Sequence, residues 1–189
     1  MAQKRKDWNG LISGFKASDL VFLDESGCNT DMTRRYADSL GGSRAVDSAP
    51  LSKPKNTTIL PSIQLDGTLR YTTFSGGTTV ERFKRYLETD LLPHLNGNSV
   101  LIMDNMKSHH ARAVRNLLDS SGVRYIYLPP YSPDLNPIEK LWSKVKSFLR
   151  KFKARTLDAL PNAIQCAFQT VSPSDCSGWF HSCGHSPYF

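Results

Sequence analysis

Two short apolar runs that each end on an aspartate constrain the fold of this 189-residue chain more than any other feature. Residues 20–23 are followed by Asp24, and residues 100–103 are followed by Asp104. Uninterrupted apolar runs of this length are typical of strands buried on both faces of a sheet. A third acid, Glu139, lies at the start of an amphipathic helical pattern. Strand ends and first helical turns are rigid, so carboxylates placed there can converge on divalent cations.

The rest of the pattern predicts a mixed α/β domain. Residues 57–64 and 68–74 are rich in β-branched and aromatic side chains, and Asp66-Gly67 between them predicts a hairpin turn. Apolar periodicity predicts, in order, a helix over 78–95, a strand over 99–104, a helix over about 108–120, a strand over 125–128, a helix from near 136 and a helix over 156–170. An antiparallel opening followed by two strand–helix repeats predicts a mixed sheet with helices on its faces.

Length and charge set the outer bounds on organisation and partners. Lys and Arg outnumber Asp and Glu by 24 to 17, and the resulting net charge of +7 favours a polyanionic partner. The basic N-terminus is not followed by the apolar stretch that a signal peptide needs. We therefore expect a cytoplasmic protein, which would be located at the nucleoid when it binds a partner there. We expect residues 1–18 to be a basic arm or linker remnant, residues 19–172 the main domain, and residues 173–189 a weakly ordered tail.

The helix predicted from near residue 136 is basic outside its apolar stripe, and residues 140–157 contain no acid. Surface helices normally mix charges, because opposite charges four residues apart stabilise them. A solvated face is one interpretation, but contact with nucleic-acid phosphates explains the missing acids better. The candidate DNA-binding residues are Lys140, Lys144, Lys146, Arg150 and Lys153.

Each of the acids also has a structural interpretation. Asp24 and Asp104 could cap turns at strand ends. Glu139 could complete a capping box, because Asn136 and Pro137 precede it as an N-cap and a first helical residue. Taken together, the acids suit phosphodiester chemistry, in which carboxylates hold two Mg²⁺ ions beside the entering and leaving oxygens.

Three segments carry a resemblance to a known family: LDES at 23–26, IMDN at 102–105 and LPPYSPDLNPIEKLW at 128–142. Together they resemble the catalytic core of DDE-type insertion-sequence transposases, in particular the bacterial relatives of the mariner superfamily. A spacing of 34 residues between Asp104 and Glu139 is typical of that group. The resemblance spans about residues 20–155, which is most of the chain.

The resemblance implies a ribonuclease-H-like catalytic domain that uses two Mg²⁺ or Mn²⁺ ions. It implies an enzyme that cleaves DNA at transposon ends and inserts the element at a TA dinucleotide. Asp24, Asp104 and Glu139 would be the catalytic, metal-binding triad. Asn136 and Pro137 would support the loop before Glu139, and Trp142 would pack beneath that helix.

Full-length members of the family carry an N-terminal helix-turn-helix region, which nothing in this sequence resembles. We therefore expect terminal repeats to be recognised with an upstream helix-turn-helix reading-frame product or a frameshift fusion. A decayed fragment of such an element is the alternative. A second copy of the chain, in a homodimer, is a further candidate partner. Two rival functions remain: a non-catalytic DNA-binding or regulatory transposase fragment, and a structure-selective nuclease.

Three further residues have a structural and a functional interpretation. His109 and His110 are expected in the first turn of a helix capped by Ser108, and contact with the metal site is the alternative. Tyr131 is expected to fill a gap beneath its proline-rich loop, and stacking on an unpaired base is the alternative.

Overall fold

The computed structural model describes residues 2–34, 36, 38–48 and 55–185, and they build one mixed six-stranded sheet. Its strands are β1 (Leu20–Leu23), β2 (Ser26–Cys28), β3 (Thr57–Gln64), β4 (Leu69–Ser75), β5 (Val100–Met103) and β6 (Arg124–Tyr127). The predicted hairpin is confirmed as β3 and β4, with Gly67 at a φ of +90° in the turn.

The apolar run that forms β1 lies at the centre of the sheet. It pairs antiparallel with β3 on one side and parallel with β5 on the other, and β5 pairs parallel with β6. β2 and β1 both pair with the same edge of β3: β2 pairs with its first residues and β1 with its last. β4 pairs with the other edge of β3. The predicted ribonuclease-H-like mixed sheet is confirmed by this arrangement.

In the described part of the chain, six α-helices flank the sheet: α1 (Ala2–Ile12), α2 (Val80–Tyr86), α3 (Arg112–Ser121), α4 (Ile138–Phe152), α5 (Ala159–Gln169) and α6 (Pro173–Ser182). α2 continues through a π-helical stretch, Leu87–Leu91, and a final 3-10 turn, Leu92–His94. Within the described ranges no helix is long and apolar enough to cross a bilayer.

Alternation along β1 sends side chains into two separate cores. Leu20 and Phe22 join the core under α1, α4, α5 and α6, whereas Val21 and Leu23 join the core under α2 and α3. A strand with apolar residues on both faces must be covered on both faces, which explains the uninterrupted run in the sequence. By the same alternation, the position after Leu23 belongs to the α4 face.

The two chain ends differ from the sequence-based expectation of an arm and a weakly ordered tail. Residues 2–12 form α1, which buries Trp8 and Ile12 in the core on the α4 side. Residues 173–182 form α6, which begins with a capping box of Ser172 and Asp175. Its Phe180 is fully buried, with its ring centroid 5.3 Å from that of Phe22. Residues 186–189 of the expected tail lie outside the described part of the chain.

The sequence signal for α6 is a helical stripe of apolar residues. Cys176, Phe180 and Cys183 are spaced four and three residues apart, and all of them are buried. The surrounding serines and glycine masked this stripe, because such a composition is also typical of loose chain ends.

Replacement of Phe180 by alanine tests whether α6 belongs to the core. We expect Phe180→Ala to lower the free energy of unfolding by about 3–5 kcal/mol, because it leaves a cavity against β1. The neighbouring His181→Ala, at an exposed position of the same helix, should change it by less than about 0.5 kcal/mol. Urea denaturation followed by circular dichroism measures both. Equal stability of the two variants would contradict this packing.

Candidate active site

The register between β1 and β5 places two of the predicted acids side by side. Leu23 pairs with Met103 in the parallel ladder, so Asp24 and Asp104 follow at the same edge of the sheet. Parallel strands present their carboxyl ends at a common edge, which explains why residues 80 positions apart in sequence become neighbours.

All three predicted acids line one cleft of about 450 Å³ at this edge. Besides them, the cleft is lined by Asn105, Met106, Asn136 and residues 128–133. Glu139 is exposed in the first turn of α4. Within the described part of the chain, no three His, Cys, Asp or Glu side chains lie close enough together to hold a metal ion. The acids therefore share a cleft without forming a closed coordination site.

Asp24 is buried, with 8% of its surface exposed. Its Oδ1 accepts a hydrogen bond from the backbone N–H of Glu25 at 2.7 Å, and its Oδ2 accepts one from Asn136 Nδ2 at 3.3 Å. Burial, together with the negative charges of Asp104 and Glu139, outweighs the Glu25 hydrogen bond and raises the pKa of Asp24 to about 7. Among the described residues, no basic side chain forms an ion pair with this carboxylate.

The predicted capping box before α4 does not form. Pro137 is the N-cap residue, and the Asn136 side chain instead bridges Ile138 N–H and the Asp24 carboxylate. Among the described residues, the Glu139 carboxylate has no hydrogen-bond or ion-pair partner. Asn136 is therefore committed to holding Asp24, and Glu139 remains available to the cleft.

His109 joins the predicted acids to a further carboxylate. Its Nδ1 lies 2.8 Å from Asp104 Oδ1, and its Nε2 lies 3.0 Å from Glu25 Oε2. Burial lowers the pKa of His109, but the two carboxylates outweigh this effect and raise it to about 9. Burial also tends to raise the pKa of Asp104, but the hydrogen bond from His109 lowers it overall.

Sequence reasoning placed His109 in a helix that in fact starts later. α3 begins at Arg112 with Ala111 as its N-cap, so His109 precedes the helix and its ring is fully buried, stacked on Phe83 at 4.2 Å. Glu25 was not singled out at all. The available signal was its position directly after Asp24, at the same sheet edge.

The basic positions of α4 differ in their surroundings. Lys144 forms an ion pair with Asp175 of α6 at 2.5 Å, and Lys153 forms one with Asp47 at 2.6 Å. Acids from distant parts of the sequence therefore offset charges that appeared unbalanced along the helix. Lys146 Nζ lies 5.6 Å from the centre of the Trp142 ring, which is buried beneath α4.

Two other candidates on α4 carry no such ion pair. Lys140 is exposed and Arg150 is half-buried, and within the described part of the chain neither forms a salt bridge. Lys140 lines a second depression, which shares Glu139 and Pro133 with the cleft of the three acids. A basic side chain thus lies next to the acidic cleft.

Tyr131 does not fill a gap beneath its loop, contrary to the sequence-based expectation. Its side chain is 88% exposed at the rim of the cleft, and its φ of +54° is uncommon for a residue with a side chain. Pro130 precedes it and Pro133 follows two residues later, and the fixed φ angles of these prolines restrict the conformation of the loop.

The donors of the cleft fit a divalent cation in type and charge. The carboxylates of Asp24, Asp104 and Glu139 and the side-chain oxygen of Asn105 are hard oxygen ligands, which Mg²⁺ and Mn²⁺ prefer. A cation between them would supply the positive charge that Asp24 lacks and would lower its raised pKa.

Most of this chain matches a known protein family. The profile of the family described as DDE superfamily endonuclease matches residues 19–161. The Tc1 transposable element transposase of Caenorhabditis elegans is 29% identical over 97 residues, which are 49% of this chain and 36% of that protein.

Solved structures with the same fold include those of the Mos1 mariner transposase. A pre-cleavage Mos1 transpososome has a TM-score of 0.79 at 18% identity, over 97% of this chain and 59% of that chain. The Mos1 catalytic domain alone has a TM-score of 0.68 at 17% identity, over 96% of this chain and 86% of that chain. The chain therefore spans little more than half the length of the longer Mos1 chain and about a third of the Tc1 protein.

Opposite pKa shifts of the two aspartates predict opposite effects on metal-free stability. An ionised Asp24 destabilises the folded state above its folded pKa of about 7, and this penalty fades as the pH falls toward its unfolded value. Asp24→Asn should therefore raise the free energy of unfolding at pH 8 by roughly 1–3 kcal/mol, and by progressively less toward pH 4.

Asp104→Asn is the matched comparison. The lowered pKa of Asp104 means that its charge stabilises the folded state above its unfolded pKa and stops doing so in acid. This variant should be less stable than wild type at pH 8. Urea titrations in EDTA at several pH values measure both effects, and stabilisation by Asp104→Asn or destabilisation by Asp24→Asn would contradict the electrostatics described above.

Proposed function

The chain belongs to the DDE superfamily endonucleases, and we propose that it is a transposase catalytic domain that cleaves DNA and transfers strands with divalent metal ions. One observation carries the proposal: Asp24, Asp104 and Glu139 come from a central strand, its parallel neighbour and the facing helix to line one cleft. Related structures support it, because Mos1 transposase has been crystallised as a strand transfer complex and as paired-end complexes with Mn and with Mg.

Each residue of the triad has a proposed role that follows from its position. When bound, two Mg²⁺ or Mn²⁺ ions would supply Lewis-acid activation of the attacking oxygen and charge neutralisation at the leaving oxygen. Asp24, at the centre of the sheet and fixed by Asn136, would hold the ions together with Asp104 and Glu139. Asp104 is fixed by His109, and Glu139 lies at the start of α4.

The DNA backbone would approach along α4. Among the predicted DNA-binding residues, Lys140, Lys146 and Arg150 form no salt bridge within the described part of the chain, so their charge is available for phosphates. Lys144 and Lys153 would first exchange their ion pairs with Asp175 and Asp47 for phosphate contacts. The Lys153 pair is exposed and the Lys144 pair is partly exposed. Solvent-accessible pairs typically contribute about 0–1 kcal/mol each to stability, so the exchange is not prohibitive.

A single catalytic domain does not supply everything that the complete reaction requires. We propose that a helix-turn-helix region, in a longer chain or from an upstream reading frame, recognises the terminal repeats. We also propose insertion at TA dinucleotides, assembly as a homodimer and a cytoplasmic, nucleoid-associated location.

The second candidate function is a non-catalytic DNA-binding fragment, which is favoured by the separation of the acids in the described chain.

Conversion of supercoiled plasmid to the nicked form in Mn²⁺ tests the catalytic assignment. We expect Asp24→Asn, Asp104→Asn and Glu139→Gln each to reduce the nicking rate by at least about 100-fold, because each removes a metal ligand. Glu88→Gln, which removes an exposed acid on the other face of the sheet, should leave the rate unchanged. Activity that survives all three cleft substitutions would favour the non-catalytic fragment and a contaminating nuclease.

Salt dependence of DNA binding tests the role of α4. Replacing both Lys146 and Arg150 by glutamate should weaken duplex binding and flatten the slope of log K against log salt by about 2, because two phosphate contacts are lost. The control carries the same change of charge on the opposite face, with Arg85→Glu and Arg115→Glu in α2 and α3. Equal losses in both double variants would indicate that net charge alone governs binding.

A further inference from the structure

We propose that His109 is a positioning residue, which ties Asp104 to Glu25 and so fixes the orientation in which the Asp104 carboxylate meets a bound metal ion. This inference rests on the proposed function of the cleft. It adds two residues, His109 and Glu25, that the acidic triad does not include.

The ring of His109 is held from every side. Both of its nitrogens face carboxylates, at 2.8 Å on Asp104 and 3.0 Å on Glu25, and one face stacks on Phe83. Tyr127 donates a hydrogen bond to the His109 backbone carbonyl at 3.0 Å, so the backbone is anchored to β6 as well. A ring fixed in this way cannot rotate without losing several contacts together.

His109 determines which oxygen of Asp104 remains available. Asp104 Oδ1 accepts from the His109 ring and from the Met106 backbone N–H at 3.0 Å. Within the described part of the chain, Oδ2 has no such partner. Hydrogen bonds to one oxygen of a ligating carboxylate orient the other, which is how outer groups tune metal affinity.

Glu25 is the fixed end of this connection. It lies directly after Asp24, between β1 and β2, and its side chain is only 8% exposed. Its Oε2 contacts His109, whereas its buried Oε1 has no hydrogen-bond partner among the described residues. A buried carboxylate oxygen left without a partner disfavours folding, so packing alone does not explain an acid at this position.

A purely structural role would have a different signature. Loss of the His109 contacts would then lower the free energy of unfolding and leave the metal affinity of the folded protein unchanged. A positioning role lowers the metal affinity at temperatures where every variant is folded. It also makes the effect depend on Asp104, because the connection acts only through that carboxylate.

The test is the dissociation constant for Mn²⁺, measured on the whole chain by electron paramagnetic resonance of free Mn²⁺ well below the unfolding temperature. His109→Phe retains a ring that can stack on Phe83 and removes both nitrogens. We expect it to raise the dissociation constant by about 10–100-fold. His94→Phe is the matched control, since His94 is exposed in the final 3-10 turn after α2 and does not line the cleft, and it should stay within about twofold of wild type.

Further variants separate the possible outcomes. In an Asp104→Asn background, His109→Phe should cause no further loss of Mn²⁺ affinity, whereas an additive loss would overturn the proposal. If His109→Phe does not fold, Glu25→Gln decides: we expect a roughly 3–10-fold weaker affinity, and a wild-type value would overturn the proposal. Wild-type affinity in His109→Phe, with a loss in Asp24→Asn, would overturn this inference alone. Equal Mn²⁺ affinity in wild type and Asp24→Asn would overturn the proposed metal site and this inference with it.

Discussion

The Asp24 carboxyl group is buried at the centre of the sheet, and the elements around the cleft are organised by this burial. The carboxylate accepts hydrogen bonds from Glu25 N–H and Asn136 but lies near other acids, and burial raises its pKa to about 7. An apolar replacement would fold more easily at such a position. The surrounding elements hold this acid in place. Such a buried acid is chemically useful only when a cation binds beside it and balances its charge.

The fold supplies that arrangement through its topology. Parallel pairing of β1 and β5 places Asp24 and Asp104 at one edge, and alternation directs both toward the face that α4 covers. The loop before α4 then fixes Asp24 through Asn136 and leaves Glu139 exposed at the cleft. On the other side, His109 connects Asp104 to Glu25. Each acid is therefore supported by a different element, so the cleft is a property of the whole domain.

The sequence was sufficient to predict features that depend on local pattern. Two apolar runs predicted buried strands, and Asp66-Gly67 predicted the hairpin, but the parallel pairing of β1 with β5 is known only from the structure. Features that depend on long-range partners were missed. Ser108 resembled an N-cap, which concealed that His109 is drawn out of the helix by two carboxylates, and the polar composition near Phe180 concealed a core helix. The ion pairs of α4 likewise involve acids far away in sequence, which no helical pattern reveals.

Anomalous diffraction from crystals soaked in Mn²⁺ tests whether the three acids hold a metal ion, because it locates the ion without reference to activity. We expect a peak in the cleft, within about 2.5 Å of carboxylate oxygens of Asp24 and Asp104, with Glu139 on the same ion or on a second one. A cleft without an anomalous peak at saturating Mn²⁺, or an ion bound only elsewhere on the chain, would contradict this expectation.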